Sequence, residues 1–249
     1  MKLQLADTRL LKESVNLISE LVNEVCFKVD TEKVSLLATD PANVAMIDFK
    51  LLHGAFTEFL VEKPVELSVS LDNLKAILKR AKPEDCLTLT LDDSRNRLTV
   101  ELIGTNRRTF NLALIDRDNE EQKLPNLNFT ASVSLPATRF DDAIADMGVV
   151  SDSVALLAEV EKFTIKAEGT VSDAKVELPV TEYSTIDLSD QESVMAKYSL
   201  SYLSKMASGS KLADNVLISF ASDYPLRIKY SVPNKLELGF ILAPRVSND

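Results

Sequence analysis

Val29-Asp30-Thr31-Glu32-Lys33-Val34-Ser35-Leu36-Leu37-Ala38 and Ala158-Glu159-Val160-Glu161-Lys162-Phe163-Thr164-Ile165-Lys166-Ala167 are one pattern written twice, 129 residues apart. Each carries a Glu-Lys pair, and the apolar positions around it coincide. The same shift lays Leu11 on Phe140, Val15 on Ile144, Ile18 on Met147, Leu36 on Ile165 and Ile47 on Val176. It also carries Leu71, Leu74 and Asp85 onto Leu200, Leu203 and Asp214. At a shift of 128, Leu98, Val100 and Leu114 fall on Leu226, Ile228 and Leu242. A nearly constant offset over so much of the chain is the mark of an internal repeat. The reading is two copies of one domain, residues 1–116 and 129–249, joined by a polar, acidic connector over residues 117–128.

Within each copy the periodicity alternates. Helical spacing predicts helices over residues 8–22 and 71–82 in the first copy, and over 137–147 and 199–211 in the second. Alternating runs such as Leu87-Thr88-Leu89-Thr90-Leu91 and Leu98-Thr99-Val100-Glu101-Leu102 predict half-buried strands. The fold class is α+β, two similar domains, each βαβββ twice.

The chain has 249 residues, 45% of them hydrophobic, enough for a real core. No apolar run approaches the ~18 residues of a membrane helix, and the first residues do not resemble a signal peptide. Cys26 and Cys86 each sit in an apolar run, so buried free thiols and a reduced, cytoplasmic setting are expected. The net charge of −10 argues against nucleic-acid binding only if it is evenly spread. It is not. The four predicted helices sum to +3, so everything else carries −13. Lys75, Lys79 and Lys82 fall at i, i+4 and i+7, one stripe opposite Leu71, Leu74 and Leu78. Such a stripe is either a solvated helix face or a phosphate-facing one; Lys205 and Lys211 on the matching predicted helix favour the latter.

Catalytic chemistry is poorly supplied. His53 is the only histidine, the cysteines have no metal-ligand spacing, and no phosphate-binding glycine loop occurs. Asp92-Asp93, the Asp116/Asp118/Glu120/Glu121 group and Asp141-Asp142 read as solvated acidic positions, with a metal-dependent carboxylate hydrolase as the remote alternative. Asp223-Tyr224-Pro225 reads as a turn before a strand. No catalytic residue, cofactor or metal is expected.

The chain resembles the proliferating cell nuclear antigen (PCNA) family of DNA sliding clamps, in its archaeal form. The residues that carry the likeness are Thr39-Asp40-Pro41-Ala42-Asn43-Val44-Ala45-Met46, Leu74-Lys75-Ala76-Ile77-Leu78-Lys79-Arg80-Ala81, Arg108-Thr109-Phe110-Asn111-Leu112-Ala113-Leu114-Ile115-Asp116, Asp223-Tyr224-Pro225-Leu226 and Leu242-Ala243-Pro244-Arg245. They span nearly the whole chain. The resemblance implies a trimeric ring of six similar domains, helices lining the hole and sheets outside. It implies a non-enzymatic processivity factor that encircles duplex DNA on the chromosome, either as a homotrimer or as one subunit of a specialised heterotrimer with paralogous subunits.

Three residue sets follow from it. Arg9, Lys12, Lys75, Lys79, Arg80, Lys82, Arg139, Lys205 and Lys211 would face DNA, with Asp141, Asp142 and Asp146 making the third helix less basic. Ring closure would pair a strand near Arg107–Leu114 with one near Ala174–Val180 of the next subunit, using Arg107 and Arg108 against Asp173, Val176 and Glu177. Clamp-binding peptides of DNA polymerase, clamp loader, flap endonuclease and DNA ligase would dock on Asn43, Val44, Met46, Gln122, Leu124, Pro125, Pro225, Ile241, Ala243 and Pro244. Gln122 stands where the family often has an apolar residue.

Overall fold

A computed structural model of the chain describes residues 1–116, 122–189 and 191–245. The first copy runs β1 (Lys2–Leu5), α1 (Arg9–Ile18), β2 (Glu24–Val29), β3 (Lys33–Thr39), β4 (Ala45–Leu52), β5 (Glu58–Leu60), β6 (Val65–Ser70), α2 (Leu71–Leu78), β7 (Cys86–Asp92), β8 (Arg97–Ile103) and β9 (Arg107–Ala113). The second repeats it: β10 (Ala131–Pro136), α3 (Ala137–Met147), β11 (Ser153–Glu159), β12 (Lys162–Glu168), β13 (Asp173–Pro179), β14 (Thr185–Asp187), β15 (Ser193–Ser199), α4 (Leu200–Ala207), β16 (Asn215–Phe220), β17 (Leu226–Val232) and β18 (Leu236–Leu242). Each copy is therefore βαβββ twice, with one extra short strand, β5 or β14, between the halves.

The chain divides into two compact units that do not follow the copies strictly. The first holds Met1–Pro41, Ile47–Leu124 and Val232–Leu238; the second holds Ala42–Met46, Pro125–Ser231 and the chain from Gly239 onward. In the first unit β5-β1-β7-β8-β9 form an antiparallel sheet, and β2 lies between β3 and β6. In the second, β13-β12-β11-β15 form one sheet and β10 pairs with both β14 and β16. Helix α1 packs beside α2, and α3 beside α4. The apolar stripes used to find the helices are the buried ones: Leu11, Val15 and Ile18 in α1, and Phe140, Ile144 and Met147 in α3.

Three helices end sooner than their periodicity predicts. Helix α1 stops at Ile18, where the Ser19 hydroxyl turns back to donate to Asn16 C=O at 2.8 Å. Helix α2 begins under the Ser70 hydroxyl, which accepts from Asn73 N–H, and stops at Leu78. Pro83 disfavours helical backbone at Lys82, and the Asp85 carboxylate captures Lys82 N–H at 2.7 Å. Lys82 thus lies in a loop, off the predicted stripe. Helix α3 spans the predicted residues. Helix α4 ends at Ala207 and passes into a 3-10 turn over Ser208–Lys211. A Cβ on Gly209 in that turn would lie 2.3 Å from the Tyr230 ring, whose hydroxyl donates to Ala207 C=O.

Tight turns rely on other residues than glycine. Asn43, Asn96, Ser189, Asp223 and Asn234 take positive φ, and no glycine does; Asn and Asp tolerate that region better than most side chains. Asp223 forms the expected turn before β17. Both cysteines are free but half-buried rather than buried.

Hydrogen bonds correct the repeat's offset locally. Leu71 N–H donates to Asn23 C=O and Leu200 N–H to Asp152 C=O, both at the 129 shift. His53 N–H donates to Glu32 C=O and Val180 N–H to Glu161 C=O, which sets β4 on β13 at a shift of 127. Phe49, not Ile47, is therefore the counterpart of Val176. At the end of each copy, Ile115 N–H donates to Ser68 C=O and Arg245 N–H to Lys197 C=O. That sets β9 on β18 at 130, so Leu112, not Leu114, matches Leu242. Leu98 and Val100 do match Leu226 and Ile228, since β7–β8 and β16–β17 place them alike.

Candidate functional site

The predicted basic residues divide once their partners are seen. Lys75 is half-buried and donates to the Ser19 hydroxyl at 2.9 Å and to Glu20 at 3.0 Å, so it ties α2 to α1. Lys79, Arg80 and Lys82 are exposed just beyond α2, and their side chains make no hydrogen bond or ion pair among the described residues. Arg9 and Arg139 are exposed and Lys12 half-exposed. Lys205 lies over the Tyr202 ring at 5.9 Å, and Lys211 sits exposed at the end of the turn after α4. With the observed boundaries the four helices are neutral in sum. The excess of positive charge sits in the segments that follow α2 and α4, not on the helices as predicted.

The acidic groups have local partners. Asp141 accepts from the Ser210 hydroxyl at 2.6 Å, and Asp92 from Ser94 at 2.6 Å, which holds the Asp92 carboxyl below its ordinary pKa. Asp118, Glu120 and Glu121 lie outside the described residues. Among the described residues, no group of three His, Cys, Asp or Glu side chains is gathered for a metal, and no helix is long and apolar enough to cross a membrane.

Among the described residues, the two strands singled out for subunit contact are both sheet edges: β9 pairs with β8 alone and β13 with β12 alone. Their inward residues are incompletely covered. Phe110 on β9 and Val176 and Leu178 on β13 are half-buried, whereas their counterparts Phe240, Phe49 and Leu51 are 1% exposed or less. The difference has a visible cause. Strands β4 and β18 are tied to each other at both ends, by Leu52 N–H to Lys235 C=O (2.8 Å) and Ala243 N–H to Val44 C=O (2.9 Å). Among the described residues, their counterparts β13 and β9 have no such mate.

Charge at these edges is less available than the sequence suggests. The Arg108 guanidinium donates to the carboxylate of Asp85, which is 2% exposed, and to Arg80 C=O at 2.9 Å. Lys82 N–H and Arg108 hold the Asp85 carboxyl below its usual pKa, against the opposing effect of burial. Gly104 makes room for this pair, since a Cβ there would strike Asp85 Oδ1. Arg107 reaches Glu101 at 2.7 Å, and Glu177 is held by Lys162 at 2.6 Å and Lys175 at 3.0 Å. Asp173 is exposed. Val176 faces Ile165 in a pair of the same phase as the Val180–Glu161 bond, so its N–H points to β12. The outward donors of β13 belong to Asp173, Lys175 and Glu177.

Of the predicted docking residues, Asn43, Val44, Met46, Pro125, Pro225, Ile241, Ala243 and Pro244 fall in the second unit, and Gln122 and Leu124 in the first. Val44, Met46, Pro225, Ile241, Ala243 and Pro244 are half-buried, and Asn43 and Pro125 are exposed. Leu124 is 40% exposed. Gln122 accepts from the Thr39 hydroxyl at 3.1 Å and lines a cleft of about 460 Å³ with Leu37, Ala38 and Lys50. Connector residues 117–121 lie outside the described residues. Sequence reasoning missed Asp85, Asp152 and Lys50 as partners of Arg108, Arg245 and Glu237; only the offset of the repeat could have suggested where to look.

Known proteins match this arrangement along its whole length. The model of the proliferating cell nuclear antigen N-terminal domain matches residues 1–121, and that of the C-terminal domain residues 123–245. The chain belongs to the PCNA family. Among PCNA-family relatives, the DNA polymerase sliding clamp of Thermococcus gammatolerans is 39% identical over 238 residues, covering 94% of this chain and 95% of that protein. The DNA polymerase sliding clamp of Pyrococcus furiosus is 37% identical over the same shares. The crystal structure of PCNA from Thermococcus kodakaraensis superposes with a TM-score of 0.91 at 29% identity, covering 98% of this chain and 99% of that one. PCNA from Entamoeba histolytica, at 22% identity and a TM-score of 0.92 over 98% of both chains, shares the fold.

Proposed function

We propose that this chain is a DNA sliding clamp subunit: copies close into a ring around duplex DNA and hold DNA polymerase on it. The observation that carries this reading is the pair of unmatched edges. Strand β9 in the first unit and β13 in the second are the counterparts of two strands that are tied together within the chain. One copy can therefore offer β9 to the β13 of the next. Such a contact is head-to-tail, and head-to-tail contacts close into rings when the rotation allows. Six similar domains in a ring correspond to three chains, each made of residues 1–116 and 129–249 with a connector between them.

The chemistry of such a clamp is binding alone. Exposed Lys79, Arg80, Lys82 and Arg139, with half-exposed Lys12, would meet phosphates without reading sequence, which permits sliding. An acidic remainder would limit side-on adhesion to DNA. Val44, Met46, Ile241, Ala243 and Pro244 would take the apolar anchors of polymerase, clamp loader, flap endonuclease and DNA ligase peptides. The mass of the purified chain by light scattering tests the assembly: three times 27.5 kDa supports a homotrimer. A monomer that assembles only with paralogous subunits would make it part of a heterotrimer, and a monomer with metal-dependent hydrolysis would overturn the reading.

A further inference from the structure

The two copies end in the same chain crossing, and only the second reinforces it. Ile115 N–H donates to Ser68 C=O at 2.9 Å, and Arg245 N–H donates to Lys197 C=O at 2.8 Å. In the first copy the residue at the crossing is apolar Ile115, and Asn23 stands where the second copy has Asp152. In the second copy the Arg245 guanidinium grips Asp152 with both nitrogens, 3.0 Å to each carboxylate oxygen. The Arg245 fork holds the Asp152 carboxyl below its ordinary pKa, which favours the charged pair.

This fork does little for the fold. Both groups are largely exposed, and exposed pairs contribute little to stability. What a bidentate fork supplies is direction. Immediately before Arg245 lie Ala243 and Pro244, and Ala243 N–H donates to Val44 C=O at 2.9 Å. The strip 243–245 is thus anchored at Val44, at Lys197 and at Asp152. The first two anchors are backbone bonds; the third alone uses side chains, and alone is charge-dependent.

We infer that Arg245 and Asp152 are a positioning pair for the partner-peptide surface, holding Ala243 and Pro244 beside Val44 before a peptide arrives. This rests on the reading of 243–244 as part of the docking surface. A preformed strip spares the complex the entropy of ordering it. Loss of the fork leaves the backbone bonds in place and loosens the strip, so affinity falls without loss of fold. Because the fork is exposed, salt weakens it.

The test is titration of the full-length assembled protein with a labelled consensus clamp-binding peptide bearing apolar and aromatic anchors. Asp152→Asn and Arg245→Gln should each weaken binding about 3–10-fold at low salt, with unchanged mass and melting midpoint. The double variant should be no worse than either single one, and the gap to the parent should narrow at high salt. The exchange Asp152→Arg with Arg245→Asp should return affinity to within about twofold, which a general loosening of the fold would not allow. Parent-like affinity in both single variants, or additive losses in the double one, overturns the proposal. Met46→Ala serves as the control: if it weakens binding while Asp152→Asn does not, the positioning role alone fails. If Met46→Ala also binds as the parent does, the docking surface lies elsewhere and the proposal falls with it.

Discussion

Lys50 Nζ lies 3.8 Å from Glu237 Oε2, joining β4 to β18. At the local shifts of 127 and 130, their counterparts are Glu177 on β13 and Arg107 on β9: the same pair with its signs exchanged. If a second copy's β9 joins β13 in the register of β4 and β18, Arg107 faces Glu177. Arg107→Glu should then weaken self-association, and Arg107→Glu with Glu177→Arg should restore part of it. Glu177 already holds Lys162 and Lys175, so a change of about 2–5-fold, as for an exposed pair, is expected. Light scattering on dilution reads it.

Backbone donors should matter more than these charges. Lys175 N–H points away from β12, so Lys175→Pro removes an outward donor and leaves the chain's own ladder whole. Assembly should be lost with the fold retained. Val176→Pro breaks the β12–β13 ladder itself and should unfold that edge, so it reports on folding rather than assembly. Circular dichroism beside light scattering separates the two.

Asp85 and Arg108 give a pH signature. The Asp85 carboxyl has its pKa lowered in the folded chain, so its stabilisation is complete above the ordinary carboxylate value of ~3.9. It is lost as pH falls through the lowered native value. Asp85→Asn should lower the melting midpoint at neutral pH, and the gap to the parent should shrink as the pH falls below the ordinary carboxylate value of ~3.9. A gap that stays constant down the acid range would mean the carboxylate charge plays no part.

How much of this was legible beforehand follows from the range of each interaction. The repeat, the α3 boundaries and the buried stripes of α1, α2 and α3 were, because apolar periodicity is local. Shifts of two residues within a strand were not: alternation repeats every two residues, so Ile47 and Phe49 match Val176 equally well by pattern. Only the bonds at His53 and Val180 distinguish them. Lys82 was placed on a helix because its spacing fits one; the capture of its N–H by Asp85, next to Pro83, decides otherwise. The resemblance puts Arg108 at the subunit edge, and nothing in its neighbourhood announces Asp85, 23 residues away. The docking residues were legible only through resemblance, since half-buried apolar residues from separate segments carry no pattern of their own.

The basic surface should be tested with residues that have no structural tie. Lys75→Ala would loosen α2 from α1 and confuse the result. Lys12→Ala with Lys79→Ala should leave the melting midpoint unchanged. The slope of log affinity for duplex DNA against log salt should fall by about one for each lysine that touches a phosphate. An unchanged slope would remove both from the DNA-facing surface.

The docking surface has its own double variant. Met46 and Ile241 are both half-buried in the second unit. Loss of a well-buried anchor contact commonly costs ~2 kcal/mol, roughly 30-fold in affinity. Met46→Ala with Ile241→Ala should weaken a consensus clamp-binding peptide by about that factor in calorimetry, with assembly intact. Parent-like affinity would place the site elsewhere.

Topological retention on DNA tests the central claim most directly. The protein is loaded by its clamp loader onto a nicked circular duplex and washed at high salt, where phosphate contacts are screened. A clamp stays on the circle and is lost when one cut linearises it. Release from the intact circle at high salt, or equal retention on circle and line, would contradict the account.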